Sequence, residues 1–403
     1  MLHKLRVPAI IVLVGLATLW VGKSLFSYLT HNTAPEIALL NLENGKIYGK
    51  THEFFIKSSG DYKISQITAQ LDGKDFDLGS ATYPGKAVFQ LPVKLDTMGL
   101  ENGKHKLTLE ATDGSYNKNK QALSCEFDID NTPLNAALLN ADYRVAQGKT
   151  LHMKIQSNKK LAHATVKFLG RIHQFYPESE DSTLYECFIP IDCEENPSEA
   201  MVSVEIEDHI KNSCKFPAKI NVAAFDFKKQ RGFNVGQQKL DNEKEVSMNS
   251  NILKEAMEKW AKESPKRKLW AGRFEYPIDV QKMTTPFGEI RMTPECGRYM
   301  HKGIDLINQP KCVVWASQHG KVIIKDRYTM TGNTIVIDHG LSVFTVYAHL
   351  EDFADINVGD MVKKGNPVGR LGKTGYASGY HLHWELRVNT TPVDPTEWTT
   401  KVF

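Results

Sequence analysis

Hydrophobic residues follow three different spacings along this 403-residue chain, and each predicts a different kind of element. The first is an unbroken run. After His3, Lys4 and Arg6, apolar residues continue from Val7 to Val21 with no polar face, and Lys23 and Tyr28 follow where the far interface of a bilayer would lie. The run predicts a retained membrane anchor over residues 1–30, its basic end inside. A cleaved signal peptide competes, because the run falls short of the ~20 residues a span prefers. Both readings export the chain beyond residue 30.

The second spacing has a period of two. From Pro35 to Pro133, short strands are punctuated by Asn44-Gly45, Ser59-Gly60, Asp72-Gly73, Pro84-Gly85, Asn102-Gly103 and Asp113-Gly114. Leu107, Leu109 and Ala111 alternate with Lys106, Thr108 and Glu110, so one face is buried. This turn spacing, with the closing segment Phe127 to Pro133, resembles a bacterial immunoglobulin-like domain, which implies a β-sandwich over 35–133. Val202, Val204 and Ile206 repeat the style, and a second sandwich is expected over 134–228, with Cys187 and Cys214 as one candidate pair to pin it and the connectivity left open.

The third spacing is helical. After a polar stretch from Lys229 to Glu245, Ile252, Leu253, Ala256, Met257, Trp260 and Ala261 form one stripe. Ser250 or Asn251 caps its start and Ser264-Pro265 ends it. A linker helix packed on the next domain is expected within 229–269, with a lid over a site as the alternative. From Trp270 to the end, glycine turns and alternating strands return, so the fold class is mainly β, with the last domain, 270–403, all-β.

Composition narrows the function. Fifty basic and 47 acidic residues nearly cancel to +3, with no long basic run, so nucleic acid is not the expected partner. Six cysteines, Cys125, Cys187, Cys193, Cys214, Cys296 and Cys312, permit disulfides in an oxidising compartment. No pair has C-x-x-C spacing, so neither a zinc ribbon nor a thioredoxin-like site is suggested. Cys296, five residues ahead of His301, is expected to be no metal ligand.

The chemistry concentrates in three segments. In Tyr380 to Val388, Tyr380, Leu382, Trp384, Leu386 and Val388 point one way and His381, His383, Glu385 and Arg387 the other. Two imidazoles on one face without partners would be costly to bury, so a shared ligand or a wet cleft is expected. His301 and Asp305 stand four residues apart, the same side of an extended chain, and His349 ends another strand. Imidazole nitrogens and a carboxylate oxygen suit zinc, and three protein ligands leave one position open for water.

Phe287 to Arg291, His301 to Leu306, Gly332 to Gly340, Thr345 to Leu350, Val358 to Gly375 and Gly379 to Arg387 together resemble the lysostaphin-type (LytM-like) zinc metallopeptidases, whose signature pairs H-x-x-x-D with a downstream H-x-H. The resemblance implies one Zn2+ per chain held by His301, Asp305 and His383, catalytic histidines at His349 and His381, and peptidoglycan peptide as substrate. Family members often carry a substrate-polarising tyrosine before the first ligand, for which Tyr299 is a candidate. Glu289 and Glu385 are expected either to support the ligands or to be surface charges. A catalytically silent activator of another wall hydrolase and an adhesion scaffold are the alternative functions. Gly359 to Gly369 is also similar to the hairpin of lipoyl carriers, but no lysine occupies the tip those carriers use.

Overall fold

Alternating apolar residues become strands along almost the whole chain, and the protein is mainly β. The computed structural model describes residues 6–60, 62–79, 87–230, 253–293 and 297–403, the side chains of 6–14, 292, 293 and 297 excepted. The Pro84-Gly85 turn, the Ser250 or Asn251 cap, Ile252 and Cys296 lie outside the described residues. Contacts divide the chain into two compact units, Met1–Pro133 with His209–Asn212, and Leu134–Asp208 with Ser213–Phe403.

In the first unit, a three-stranded sheet and a five-stranded sheet enclose Phe54, Ile56, Leu91, Val93, Leu109 and Phe127. The strand Thr51–Ser59 shows the pattern most clearly, burying every second residue from Phe54 to Ser58. The N-terminal apolar run forms helix α1, Arg6–Thr30. The spanning anchor expected there is not supported, because among the described residues no helix is long and apolar enough to cross a membrane. Gly15, Thr18, Gly22, Lys23, Ser24 and Ser27 dilute the hydropathy of its described part.

In the second unit, residues from Leu134 build a five-stranded and a four-stranded sheet around Met153, Ile155, Val166, Ile189, Val204 and Ile220. The candidate Cys187–Cys214 disulfide is absent. Cys125, Cys187, Cys193, Cys214 and Cys312 are all free thiols, and Cys187 is packed into this core instead.

The C-terminal part of the same unit is built on one large sheet. Its strands are β1 (Lys282–Thr285), β2 (Ile290–Thr293), β3 (Gly297–Met300), β4 (Ile304–Ile307), β5 (Gly320–Tyr328), β6 (Gly332–Asp338), β7 (Val343–Leu350), β8 (Met361–Val362), β9 (Leu382–Val388) and β10 (Thr391–Val393). The sheet runs β1-β4-β9-β7-β6-β5-β8, with β10 paired to β9, while β2 and β3 form a hairpin in a separate small sheet. Ile304, Leu306, Ile335, Ile337, Tyr347, Leu382 and Trp384 fill the core on one face. On the other face, helix α2, residues 253–263, lays Leu253 and Met257 onto Val336, Phe344 and Val346. That is the packed linker helix, seated on β5 to β7 rather than on β4 and β9, which carry Asp305 and His383.

Two segments outside the large sheet also reach its core. Cys193 and Phe227 are buried among Phe287, Met300 and Ile304. Phe188 joins Trp270, Phe274, Trp398 and Phe403 in an aromatic cluster. Helix α3, Pro395–Thr400, opens on the N-cap Asp394, which Lys149 approaches at 2.6 Å, and its Glu397 accepts the backbone N–H of Thr150 at 2.9 Å.

Candidate functional site

Cross-strand pairing creates the site. Asp305 on β4 stands directly opposite His383 on β9, flanked by the pairs Ile304 with Trp384 and Leu306 with Leu382. Because successive residues of a strand face opposite sides, those apolar flanks fill the core and turn Asp305 and His383 outward together. His301 precedes β4, its N–H donating to the carbonyl of Glu289 at 3.0 Å. Gly303 lies between them because a Cβ there would sit 2.7 Å from the Trp384 carbonyl and 2.9 Å from the His383 ring.

His301 Nε2, Asp305 Oδ1 and His383 Nδ1 form a triangle with sides of 3.0, 3.1 and 2.9 Å. Zinc with bonds of about 2.0–2.1 Å in a tetrahedron separates neighbouring donors by about 3.3–3.4 Å, so opening this triangle by a few tenths of an ångström fits the ion. The ring nitrogens not in the triangle are also committed. Pro286 O lies 3.3 Å from His301 Nδ1, and Glu385 Oε1 lies 2.9 Å from His383 Nε2. A carbonyl or carboxylate oxygen only accepts, so those outer nitrogens carry protons; His383 Nδ1 faces the Asp305 carboxylate as well, and a metal would displace its proton to use the lone pair.

Two more imidazoles flank the triangle. The rings of His349 and His381 are 4.7 Å apart, and His349 is 6.0 Å from His383. His349 Nδ1 donates to Thr374 O at 2.8 Å and His381 Nδ1 to Gly379 O at 3.0 Å, which leaves each Nε2 as an acceptor. His381 Nε2 lies 3.8 Å from Asp305 Oδ1. All five residues named by the sequence therefore meet in one place.

His349 arrives there by a break in the two-residue period. Tyr347 is a core residue, and simple alternation would bury His349 beside it. Instead β7 carries a bulge, where Ala348 and His349 oppose the single residue Thr334 of β6. His349 takes φ +61°, a left-handed conformation costly for a residue with a side chain. The extra residue re-aims the imidazole to the face of His383.

Charges alternate outward from the triangle. Lys228 lies 3.2 Å from Glu289, whose other oxygen is 3.6 Å from Arg291, and Arg291 is 4.0 Å from Asp305. Beyond His383, Glu385 accepts from Arg387 Nε at 2.6 Å, and Arg387 Nη1 donates to Thr390 O at 3.2 Å. Glu289 and Glu385 are thus buried partners of the site, at 3% and 6% exposure, rather than surface charges. Burial would raise the Asp305 carboxyl, but the hydrogen bonds and charges of His301 and His383 hold it far below the usual carboxylate range. Burial would likewise lower His383, yet Asp305 and Glu385 outweigh it and hold its pKa at about 10. Burial, with the charges of His383 and His381, pushes His349 down to about 3. Tyr299 keeps its ring half-exposed and turns its phenol towards Arg291, Asp305 and Glu385, where burial lifts its pKa to about 12.

Residues 299–395 match the profile of peptidase family M23. This segment is an M23 peptidase domain. The chain is 34% identical over 122 residues to the peptidoglycan DD-endopeptidase ShyB of Vibrio cholerae serotype O1, covering 30% of this chain and 28% of that protein. It is 37% identical over 120 residues to the DD-carboxypeptidase/endopeptidase Mpg of Neisseria meningitidis serogroup B, covering 30% and 27%. The chain therefore spans less than a third of the length of these relatives. Among solved structures, the catalytic domain of the antimicrobial peptidase lysostaphin from Staphylococcus simulans aligns over 30% of this chain and 92% of that one, with 28% identity and a TM-score of 0.27.

Proposed function

We propose that the M23 domain is a zinc-dependent endopeptidase that hydrolyses peptide cross-links or stems of bacterial peptidoglycan, with His301, Asp305 and His383 as metal ligands and His349 and His381 as catalytic histidines. The observation that carries the proposal is the donor triangle in which both imidazoles have their outer nitrogens tied down, so that two ring nitrogens and one carboxylate oxygen converge. Zinc bound there would lower the pKa of a coordinated water to about 7 and polarise a carbonyl. The chain's own residues supply the proton handling. His349 Nε2 and His381 Nε2 are placed to accept a proton from water and to return it to a leaving amine, and burial keeps His349 neutral in the resting site. Tyr299 stays protonated and can donate a hydrogen bond to a developing oxyanion. Relatives named as peptidoglycan DD-endopeptidases support the substrate class, and a wall substrate implies an enzyme that works outside the cytoplasm. The modules over 35–133 and 134–228 belong to this proposal as immunoglobulin-like sandwiches.

Purified peptidoglycan incubated with the full chain tests the proposal. Release of soluble peptides that a chelator stops and added zinc restores is the expected result. Zinc bound at one per chain with no peptide released would instead fit an activator of another wall hydrolase.

A further inference from the structure

His383 offers the metal position its Nδ1 rather than its Nε2, and three neighbours enforce that choice. Asp305 Oδ1 sits 2.9 Å from Nδ1, Glu385 Oε1 sits 2.9 Å from Nε2, and the missing side chain of Gly303 leaves room for the ring edge. Glu385 cannot easily swing away, because Arg387 holds its second oxygen at 2.6 Å and Arg387 is itself tied to the Thr390 carbonyl. Residues 383, 385 and 387 share one face of β9, so the backbone sets their spacing. A carboxylate buried to 6% exposure is retained only when its charge is matched, and both of its partners are present.

We propose that Glu385 and Arg387 are positioning residues for the metal site: Glu385 fixes the tautomer and ring orientation of His383 so that Nδ1 faces His301 and Asp305, and Arg387 locks Glu385 in that pose. The inference rests on the zinc reading above. Neither residue touches a substrate. Their effect is exerted through His383, and partners of this kind change metal affinity by about 10- to 100-fold.

Zinc affinity of the full chain, measured by competition with a chromogenic chelator, tests it together with the visible spectrum of the cobalt-substituted protein. Glu385→Ala should weaken zinc binding by about 10- to 100-fold and alter the cobalt bands, because the freed ring samples other orientations. Glu385→Gln keeps an oxygen that accepts from Nε2–H, so it should retain the wild-type cobalt bands and lose less affinity than Glu385→Ala. Arg387→Ala should fall between wild type and Glu385→Ala, and Arg387→Lys should recover part of the loss. A purely structural role would lower the melting temperature of these variants while leaving the cobalt bands of the folded protein unchanged, and that result overturns the inference. Wild-type affinity in Glu385→Ala also overturns it alone, whereas a wild-type chain that binds no zinc overturns the function reading and this inference together.

Discussion

Strand Thr51–Ser59 of the first unit and strand Leu184–Pro190 of the other are alike in sequence style but are used differently. The former buries alternate residues and exposes the others. The latter is buried from Tyr185 to Pro190 without a break. One face, with Tyr185, Cys187 and Ile189, fills its own module's core, and the other sends Phe188 into the aromatic cluster of Trp270, Trp398 and Phe403. Glu186, fully buried, meets Lys268 at 2.6 Å and His152 at 2.9 Å. The middle module is therefore packed into the peptidase unit rather than strung ahead of it, and a strand with two dry faces is the device that joins them.

Substituting the matched aromatics separates the two uses most sharply. Phe188→Ala should destabilise the unit that carries the site by about 3–5 kcal/mol, seen as an earlier unfolding transition accompanied by loss of bound zinc. Phe54→Ala should cost its own unit a similar amount and leave zinc binding untouched, since Phe54 belongs to the first core. Equal zinc retention in both variants would break the comparison.

Removing the cation beside Glu186 comes next. Lys268→Ala should cost about 3 kcal/mol, because a buried carboxylate loses its closest charge. The sign with pH follows from the same pair. Lys268 and His152 outweigh burial and hold the folded Glu186 below its ordinary value, so its stabilisation is present above the unfolded pKa of about 4.3 and is lost as pH falls through the folded one. Urea unfolding from about pH 7 down to about pH 3 spans that window and should show wild type losing more stability than Glu186→Gln.

A smaller effect contrasts strands that keep the two-residue period with β7, which breaks it. His349→Gly relieves a left-handed position but empties a buried, hydrogen-bonded one, so the metal-free protein should stay within about 1 kcal/mol of wild type, while peptide release falls at least ~100-fold. Smallest of all is the polar contact between the middle module and the loop bearing His301. Lys302 lies 2.8 Å from Glu194, but Glu194 is half-exposed and Asp192 remains 3.3 Å from Lys302, so Glu194→Ala should change stability by under ~1 kcal/mol.

The parts that could be read in advance obey one periodicity and one partner. Alternation in Leu382 to Val388 placed His383, Glu385 and Arg387 on one face, and the stripe Leu253, Ala256, Met257, Trp260 and Ala261 is the face of α2 that packs. Signals that depend on what lies across space were not legible. Glu186 and Phe188 read as ordinary strand residues until a second surface covers them. The bulge at His349 has no local mark, since no glycine, asparagine or aspartate stands at Ala348 or His349 to flag a left-handed position. Pro286 supplies a carbonyl, a group every residue has, so its bond to His301 could not be anticipated. The cysteines misled because an even count permits disulfides without requiring their geometry.

Zinc content of His383→Ala and His381→Ala, measured beside peptide release from peptidoglycan, tests the central claim most directly. The ligand assignment predicts that His383→Ala loses zinc and activity together, whereas His381→Ala keeps about one zinc per chain and loses at least ~100-fold in activity. Equal zinc content in the two variants would contradict the assignment of ligand and catalytic histidine.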